Sequence, residues 1–268
     1  MKYTWGINPQ SEFTQFVNSN GTVASCIVDW FAVLHRYVSF DGANIALQQD
    51  FSYSTNWGGG IQWNTKQTTV VTKDCARNNF VCSSAPSFTT VYTYAPSIVF
   101  SDDPLNQVAG NQVPVEQTIT YKDGSGNTLR TVSKNWYNTD LLQTEQVTLD
   151  TNLTSKTAYT YVSPGAGVYQ ALITETDEYD YGQGAGPLLR KTVTNYASFP
   201  ATPIYSFAPS ILDRPSSVIT YDGSGTRVAE TDYAYDQSSV ASVFTGEKDY
   251  GGEGGILIIG NLKLPLFA

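Results

Sequence analysis

The chain of 268 residues is poor in the side chains from which most enzyme sites are assembled: it has one histidine, one methionine and three cysteines. A serine or cysteine nucleophile needs a neighbouring base, and His35 is the sole imidazole, set amid apolar residues in FAVLHRYV nine residues after Cys26. His35 is therefore read as a half-buried strand residue satisfied by backbone. Metal catalysis generally draws on several His or Cys ligands and is no better supplied. Charge is scarce as well. Charged residues make up 15% of the chain, and 24 Asp+Glu against 15 Lys+Arg leave a net charge of −9. Without a Lys/Arg cluster such a surface repels phosphate backbones, which excludes nucleic acid as an expected partner. No apolar run is long enough to span a membrane. The longest, GILIIGNLKLPLFA, is broken by Gly260, Asn261, Lys263 and Pro265. The opening MKYTWGINPQSEFTQF has no basic stretch followed by an apolar one and does not read as a signal peptide.

What the chain does have is aromatic: 18 Tyr, 12 Phe and 5 Trp. Aromatic and β-branched side chains fit a pleated, half-buried surface, so the composition leans to strand. Abundant Thr, Ser, Asn, Gln and Tyr with little charge favour an exported protein, extracellular or at a cell surface. The cysteines are Cys26, Cys75 and Cys82, an odd number and so not a disulfide framework. In an exported chain the expected bridge is Cys75–Cys82, closing CARNNFVC and leaving Cys26 free; three reduced thiols are the alternative.

Along the chain, residues 1–112 form an irregular, β-rich N-terminal segment. CIVDWFAVLHRY has spacing compatible with a short helix, but its aromatic and β-branched content, followed by YVSFDGANIALQQDFSY, favours strand, DG turn, strand. NWGGGIQWN reads as a turn between Trp57 and Trp63, and the polar, Thr/Ser-rich residues 65–90 read as a long ordered excursion. Residues 113–246 are repetitive, and 247–268 form a Gly-rich apolar tail that looks truncated, so the chain is expected to be a segment of something longer. Throughout, tyrosine-rich runs such as TVYTYAP and TAYTYVSP stop at prolines, which cannot donate to a sheet ladder.

The clearest recurrence is QTITYKDGSGNTLRTVSKNWY at 117–137 and SVITYDGSGTRVAETDYAYD at 217–236, with EYDYGQGAGPLLRKTVTNY as a looser relative. Each reads as strand, glycine turn, strand. In the outgoing strand at 227–236, Arg227, Ala229, Thr231, Tyr233 and Tyr235 alternate with Val228, Glu230, Asp232, Ala234 and Asp236, which predicts one aromatic and one acidic face. DGSG invites a calcium reading, yet each copy offers a single carboxylate where a calcium loop uses several. The turn reading suffices: Asp bonds nearby backbone N–H groups and the glycines supply φ > 0. GQGAG and YGGEGG lack the Lys-Ser/Thr and the strand-to-helix context of a phosphate loop. No metal site and no cofactor is expected.

These units resemble the YD repeats of the Rhs (rearrangement hotspot) family, whose relatives include the C component of bacterial insecticidal toxin complexes and the teneurins. The matching positions are Tyr121, Asp123, Gly124, Gly126, Asn127, Leu129 and Arg130; then Tyr179, Asp180, Tyr181, Gly182, Gly184, Leu189, Arg190 and Thr192; then Tyr221, Asp222, Gly223, Gly225, Arg227, Thr231, Tyr233, Tyr235 and Asp236. The match covers residues 113–236; its spacing is irregular and the Tyr-x-Tyr-Asp ending occurs only at 233–236. The resemblance implies a β-sheet strip spiralling into a hollow shell that encloses a C-terminal toxin or serves adhesion. On that basis the chain is a piece of shell wall without catalysis of its own. Its partners are further repeats of a longer parent chain and an enclosed toxin domain.

Overall, an all-β architecture of many short antiparallel hairpins in a curved, repetitive sheet is expected. The rival function is a carbohydrate-binding or glycosidase-like β-sandwich, since such glycosidases need only two carboxylates. Its acids would come from Glu175, Asp177, Glu178, Asp180, Asp102 or Asp103, and its groove from Trp57, Trp63 or Trp136, with Tyr179 and Tyr181 to stack on sugar. Glu175, Asp177 and Tyr179 share one strand face, however, and acids two apart on a strand ordinarily form a solvated stripe.

Overall fold

A computed structural model of the chain describes residues 1–17, 20, 23–59, 62–98, 112–137, 141–162, 171–198, 212–235 and 262–263. The strands are β1 (Lys2–Val17), β2 (Val23–Val38), β3 (Leu47–Gly59), β4 (Gln62–Asp74), β5 (Ser87–Ile98), β6 (Gln112–Lys122), β7 (Thr128–Trp136), β8 (Leu142–Leu149), β9 (Leu153–Val162), β10 (Leu172–Gln183), β11 (Leu188–Tyr196), β12 (Pro215–Asp222), β13 (Arg227–Asp232), β14 (Ala234–Tyr235) and β15 (Leu262–Lys263). Among the described residues, strands β1 to β13 hydrogen-bond in chain order as one antiparallel sheet of hairpins, and β14 pairs with β15. The protein is all-β, as its composition predicts. The strands are not uniformly short: β1 and β2 run 16 residues each. CIVDWFAVLHRY lies wholly within β2, and the polar excursion expected over 65–90 is strand as far as Asp74. Contacts divide the chain into two compact units, Met1–Lys156 with Tyr181–Gly186, and Thr157–Asp180 with Pro187–Ala268.

In the first unit the registers align side chains into rungs across six neighbouring strands. Directly opposed residues share a face, so Tyr53, Thr68, Tyr92, Ile119, Val132 and Val147 form one rung of β3 to β8. Phe51, Val70, Thr90, Tyr121, Arg130 and Leu149 form the next rung of that face. The opposite face carries hydroxyls: Ser52, Thr69, Val91, Thr120, Thr131 and Thr148 make one rung, and Thr148 exchanges a 2.9 Å hydroxyl hydrogen bond with Thr154 of β9. The period of two in TVVT, TVYTY and TITY thus sorts aromatic from hydroxyl side chains. Within these two rungs Val70, Thr90 and Val132 are buried, and burial pushes the Tyr53 and Tyr92 hydroxyls above the ordinary phenol range. Each good cross-strand pair contributes about 0.2–1 kcal/mol.

The same unit holds β1 down by a bulge. Pro9 cannot continue the ladder, and at Gln10 the backbone turns to φ +49 with a register shift between Asn8 and Glu12. Three elements secure the displaced groups. Asp29 Oδ1 accepts from Gln10 N at 2.7 Å, Trp57 Nε1 donates to Gln10 O at 2.8 Å, and Lys66 Nζ donates to Ser11 O at 2.7 Å. Lys66 also pairs with Glu12 and lies 5.4 Å from the ring of buried Trp63, so one ammonium serves a carbonyl, a carboxylate and an aromatic face.

The second unit repeats the hairpin plan. Strand β10 pairs with β11, β11 with β12 and β12 with β13, with Thr192, Thr220 and Ala229 on one rung and Val193, Ile219 and Glu230 on the next. The one-wet-side expectation for 227–236 needs correcting. A bulge pairs Tyr221 with Arg227 and Thr220 with Ala229, leaving Val228 as the extra residue. Arg227 and Ala229 therefore face opposite ways, and Glu230 and Asp232 share a face with Ile219 and Tyr221.

Candidate functional site: the glycine-turn hairpins

The DGSG turns are built alike. Gly126 N donates to Asp123 O at 3.1 Å and Asp123 N to Asn127 O at 2.9 Å; Gly225 N donates to Asp222 O at 3.0 Å and Asp222 N to Thr226 O at 2.9 Å. This is a type I turn closed by a left-handed glycine, with φ +87 at Gly126 and +84 at Gly225. Both carboxylates are spent within the turn. Asp123 accepts from the Ser125 and Asn127 backbone N–H groups at 2.9 Å and from Asn127 Nδ2 at 3.0 Å. Asp222 accepts from Ser224 N at 2.9 Å, Ser224 Oγ at 2.6 Å and Thr226 N at 2.9 Å. These donors hold both carboxyls below the ordinary Asp value, the Asn127 side chain contributing most at Asp123 and the Ser224 hydroxyl most at Asp222. Asp41, in the connection between β2 and β3, is also lowered, chiefly by the Asn44 and Ala43 backbone N–H groups and the Asn44 side chain. Asp123 and Asp222 each cap the turn that they open.

The first glycine of each DGSG has another duty. A Cβ on Gly124 would meet the Ser87 carbonyl oxygen at 2.9 Å, and one on Gly223 would meet that of Leu188 at 2.0 Å. Each is pressed against the first residue of the strand before it, β5 or β11. The turn is therefore shaped by its preceding neighbour as well as by its own hairpin.

Anchored on Asp, the two hairpins match position by position: Lys122 pairs with Thr128 and Tyr121 with Arg130, as Tyr221 pairs with Arg227 and Thr220 with Ala229. Tyr121 thus corresponds to Thr220, and Tyr221 to Lys122. The two tyrosines that align by eye in the sequence sit one residue apart and point to opposite faces, a slip caused by the extra Lys122. The recurrent arginines pair across or along strands in different ways. Arg130 Cζ lies 4.2 Å from the ring centre of Tyr121, Arg190 is paired with Glu178, and Arg227 with Glu230. Leu129 and Leu189 are exposed; Tyr235 donates to Pro215 O at 2.8 Å, and Tyr233 N to Ser216 O at 2.9 Å. The third hairpin turns through Gly184 at φ +75 and Ala185, with Asp180 N donating to Pro187 O, beyond Tyr179 and Tyr181 on β10. Asp236 lies outside the described residues.

Of the acids offered for glycosidase chemistry, Glu175 accepts from Lys191 Nζ at 2.8 Å and Glu178 is held by Arg190, while Asp177, directly across from Lys191 in register, stands 3.7 Å from that ammonium with its Oδ1 buried and without a hydrogen bond. Burial is the largest influence raising the Tyr179 hydroxyl, followed by the charge of Asp177. Asp102 and Asp103 lie outside the described residues. The three tryptophans are each engaged: Trp57 Nε1 is bonded to Gln10 O, Trp136 Nε1 donates to Glu116 O at 2.7 Å, and Trp63 is buried. An open groove of about 350 Å³ does lie beside the second turn, lined by Leu188, Lys191, Val193, Tyr221, Asp222 and Gly225, but its carboxylate belongs to the turn. His35 is not satisfied by backbone as expected. Its Nδ1 meets Asp50 Oδ1 at 2.8 Å across β2 and β3, and Asp50 also binds Lys73 Nζ at 2.7 Å and Gln48 Nε2 at 2.6 Å. Burial works against the Asp50 charge, yet these donors, Lys73 foremost, keep its carboxyl below the ordinary value. Cys75 and Cys82 are disulfide-bonded and Cys26 is free and exposed. Among the described residues no cluster of three His, Cys, Asp or Glu side chains is placed to hold a metal, and no helix is long and apolar enough to cross a membrane. Sequence reasoning missed the Gln10 anchorage and the exposure of Trp5 and Trp30; Pro9 inside an aromatic run was the signal for the first.

Compared with known proteins, the chain matches no protein-family model and no curated protein.

Proposed function

We propose that this chain is a structural wall: a segment of a β-shell of the Rhs/YD-repeat kind, exported or surface-displayed and with no catalysis of its own. One observation carries the reading. Two DGSG hairpins, β6–β7 and β12–β13, share the same turn and the same pairing counted from Asp, and each packs its first glycine on the strand before it. That is the construction of a sheet extended by repetition, in which each unit needs a neighbour to cover it. The Cys75–Cys82 bridge suits an oxidising compartment and so favours export. The outer edges of β1 and β13 are unpaired among the described residues, which fits continuation by further repeats. The enclosed partner in this reading is a C-terminal toxin domain of the parent chain.

The test is fractionation of the producing cells with an antibody to this segment, together with a glycan-binding screen of the purified chain. The reading expects the segment within a larger polypeptide in secreted or surface fractions, and no glycan binding. A free cytosolic chain of this size, or saturable binding to a defined oligosaccharide, would overturn it.

A further inference from the structure

The pairing of β2 with β3 is far shorter than either strand. Among the described residues only His35–Asp50, Arg36–Gln49, Tyr37–Gln48 and Val38–Leu47 are in register, four pairs against thirteen between β1 and β2 and twelve between β3 and β4. Just past His35 the hairpin β1–β2 is bulged. Thr4 faces His35 and Trp5 faces Val33, so Leu34 is the extra residue, and its side chain fills the space that a Cβ on Gly6 would need. A bulge bends its strand and disrupts regular pairing. Beyond it, side chains take the place of the ladder. Tyr53 of β3 donates its hydroxyl to Val33 O at 2.7 Å. Further out, Trp57 of β3 donates to Gln10 O at 2.8 Å, and Lys66 of β4 reaches Ser11 O at 2.7 Å and Glu12 Oε1 at 2.9 Å. The hairpin is therefore fixed by a four-pair hinge at one end and a side-chain latch at the other.

The same hairpin holds most of the polar atoms that the fold leaves unmet. Among the described residues four buried side-chain N or O atoms lack a hydrogen-bond partner, and three of them are here: Thr4 Oγ1, Arg36 Nε and Ser11 Oγ. Thr4 and Arg36 stand at the hinge, and Ser11, 3% exposed, stands at the latch. A buried polar atom without a partner disfavours the closed arrangement, because water satisfies it once the hairpin lifts. Segments that open locally are those held by few ladder bonds and weakened in this way.

We propose that the hairpin β1–β2 beyond Thr4 and His35 is a latched flap, which swings off β3 and β4 as one piece about the Leu34 bulge while β3 to β8 stay paired. The ladder between β1 and β2 travels with it intact. The bonds that break are those of Tyr53, Trp57 and Lys66, all made by side chains. Opening bares the edge of β3 from Phe51 to Trp57, which lies past the last pair of the hinge. The flap does not depend on the shell reading; a further repeat paired to β1 would ride on it.

Double electron–electron resonance tests the proposal. In a Cys26→Ser background, nitroxide labels on Phe31→Cys and Gln67→Cys span flap and sheet, and labels on Gln67→Cys and Asn135→Cys span the sheet alone. All three side chains are exposed. Removing the latch by Lys66→Met with Trp57→Phe is expected to add a longer distance to the first pair, raising the ratio of open to closed roughly tenfold to a hundredfold. The second pair is expected to keep its single distance. Hydrogen exchange gives a check without labels. In Lys66→Met the Trp57 indole N–H is expected to exchange about tenfold faster, and that of Trp136, bonded to Glu116 O, at its former rate. A first-pair distance that latch removal leaves unchanged, a second pair that spreads along with the first, or an unaltered Trp57 exchange rate would each overturn the flap.

Discussion

The two glycines of the second DGSG turn do different physical work, and alanine separates them. At Gly225 there is open space around the missing Cβ, and the demand is conformational, φ +84. Alanine there pays the left-handed penalty of about 1 kcal/mol, partly offset by a stiffer unfolded chain. At Gly223 the demand is steric. A Cβ would stand 2.0 Å from the Leu188 carbonyl oxygen and 3.1 Å from its carbon. Both atoms are backbone, so no rotamer relieves the overlap, and β12 must move away from β11 by more than an ångström. The pairs Arg190–Asp222 and Lys191–Tyr221 are the first to open. Two weakened ladder bonds at about 1 kcal/mol each, with strain of about 1 kcal/mol or more, give roughly 3 kcal/mol for Gly223→Ala. That corresponds to a fall in Tm of about 6–12 °C. Gly124→Ala, whose nearest contact is 2.9 Å, is expected to fall between the two. Urea titration followed by circular dichroism reads the order directly, and if the two units unfold separately the transition that moves is the second unit's. A Gly223→Ala chain as stable as the parent, or one less affected than Gly225→Ala, would refute the claim that the preceding strand dictates this glycine.

Other expectations follow from the same geometry. Asp41, Asp123 and Asp222 have folded-state pKa values held below their unfolded ones, so their contribution is present above the unfolded value of about 3.9 and is lost as pH falls from there through the folded value. The triple Asp→Asn variant keeps acceptors for the turns and is expected to flatten the acid limb of urea midpoint against pH; an unchanged limb would mean these turns do not set it. Replacing both Cys75 and Cys82 by serine opens a loop with a sequence separation of 7, for which chain entropy gives about 2.5 kcal/mol, measured as the same loss produced by reductant in the parent protein. Trp63→Ala removes a buried aromatic under Lys66 and is expected to destabilise the first unit by about 3–5 kcal/mol, with Lys66→Met losing far less.

Much of this architecture was legible because strands write their faces with a period of two. Phe51, Tyr53, Val70, Tyr92 and Tyr121 share a face for that reason, and Ser52, Thr69 and Thr120 share the other. The turns were legible too, since Asp followed by glycines has a local explanation that needs no partner. What the pattern hid was register. One inserted residue, Lys122, moves Tyr121 off the position of Tyr221, and bulges at Thr4/Trp5 and Thr220/Tyr221 reverse the alternation partway along a strand. Ion pairing was hidden for the same reason. Glu175 and Asp177 read as a solvated acidic stripe until the register set Lys191 opposite Asp177 and within reach of Glu175, and His35 read as backbone-bound until β3 brought Asp50 across. The spacing of Gly223 from Leu188 spans a turn and two strands, beyond the reach of any local rule.

The chain-order pairing of β1 to β13 has an evolutionary corollary. In such a meander a duplicated or deleted stretch keeps every later strand running in its former direction only if it contains an even number of strands. A single added strand would reverse everything downstream and turn aromatic faces outward. Growth by whole hairpins is therefore the permitted mutation, and the unit that can be copied includes the strand whose first carbonyl receives the turn. Residues 87–127 and 188–226 are bounded in that way, each holding two strands and the following turn and opening on the residue that its own glycine will later touch. Recombination breakpoints are expected just before Ser87 and Leu188, in the connections ahead of β5 and β11, where a copied piece arrives with its seat already attached.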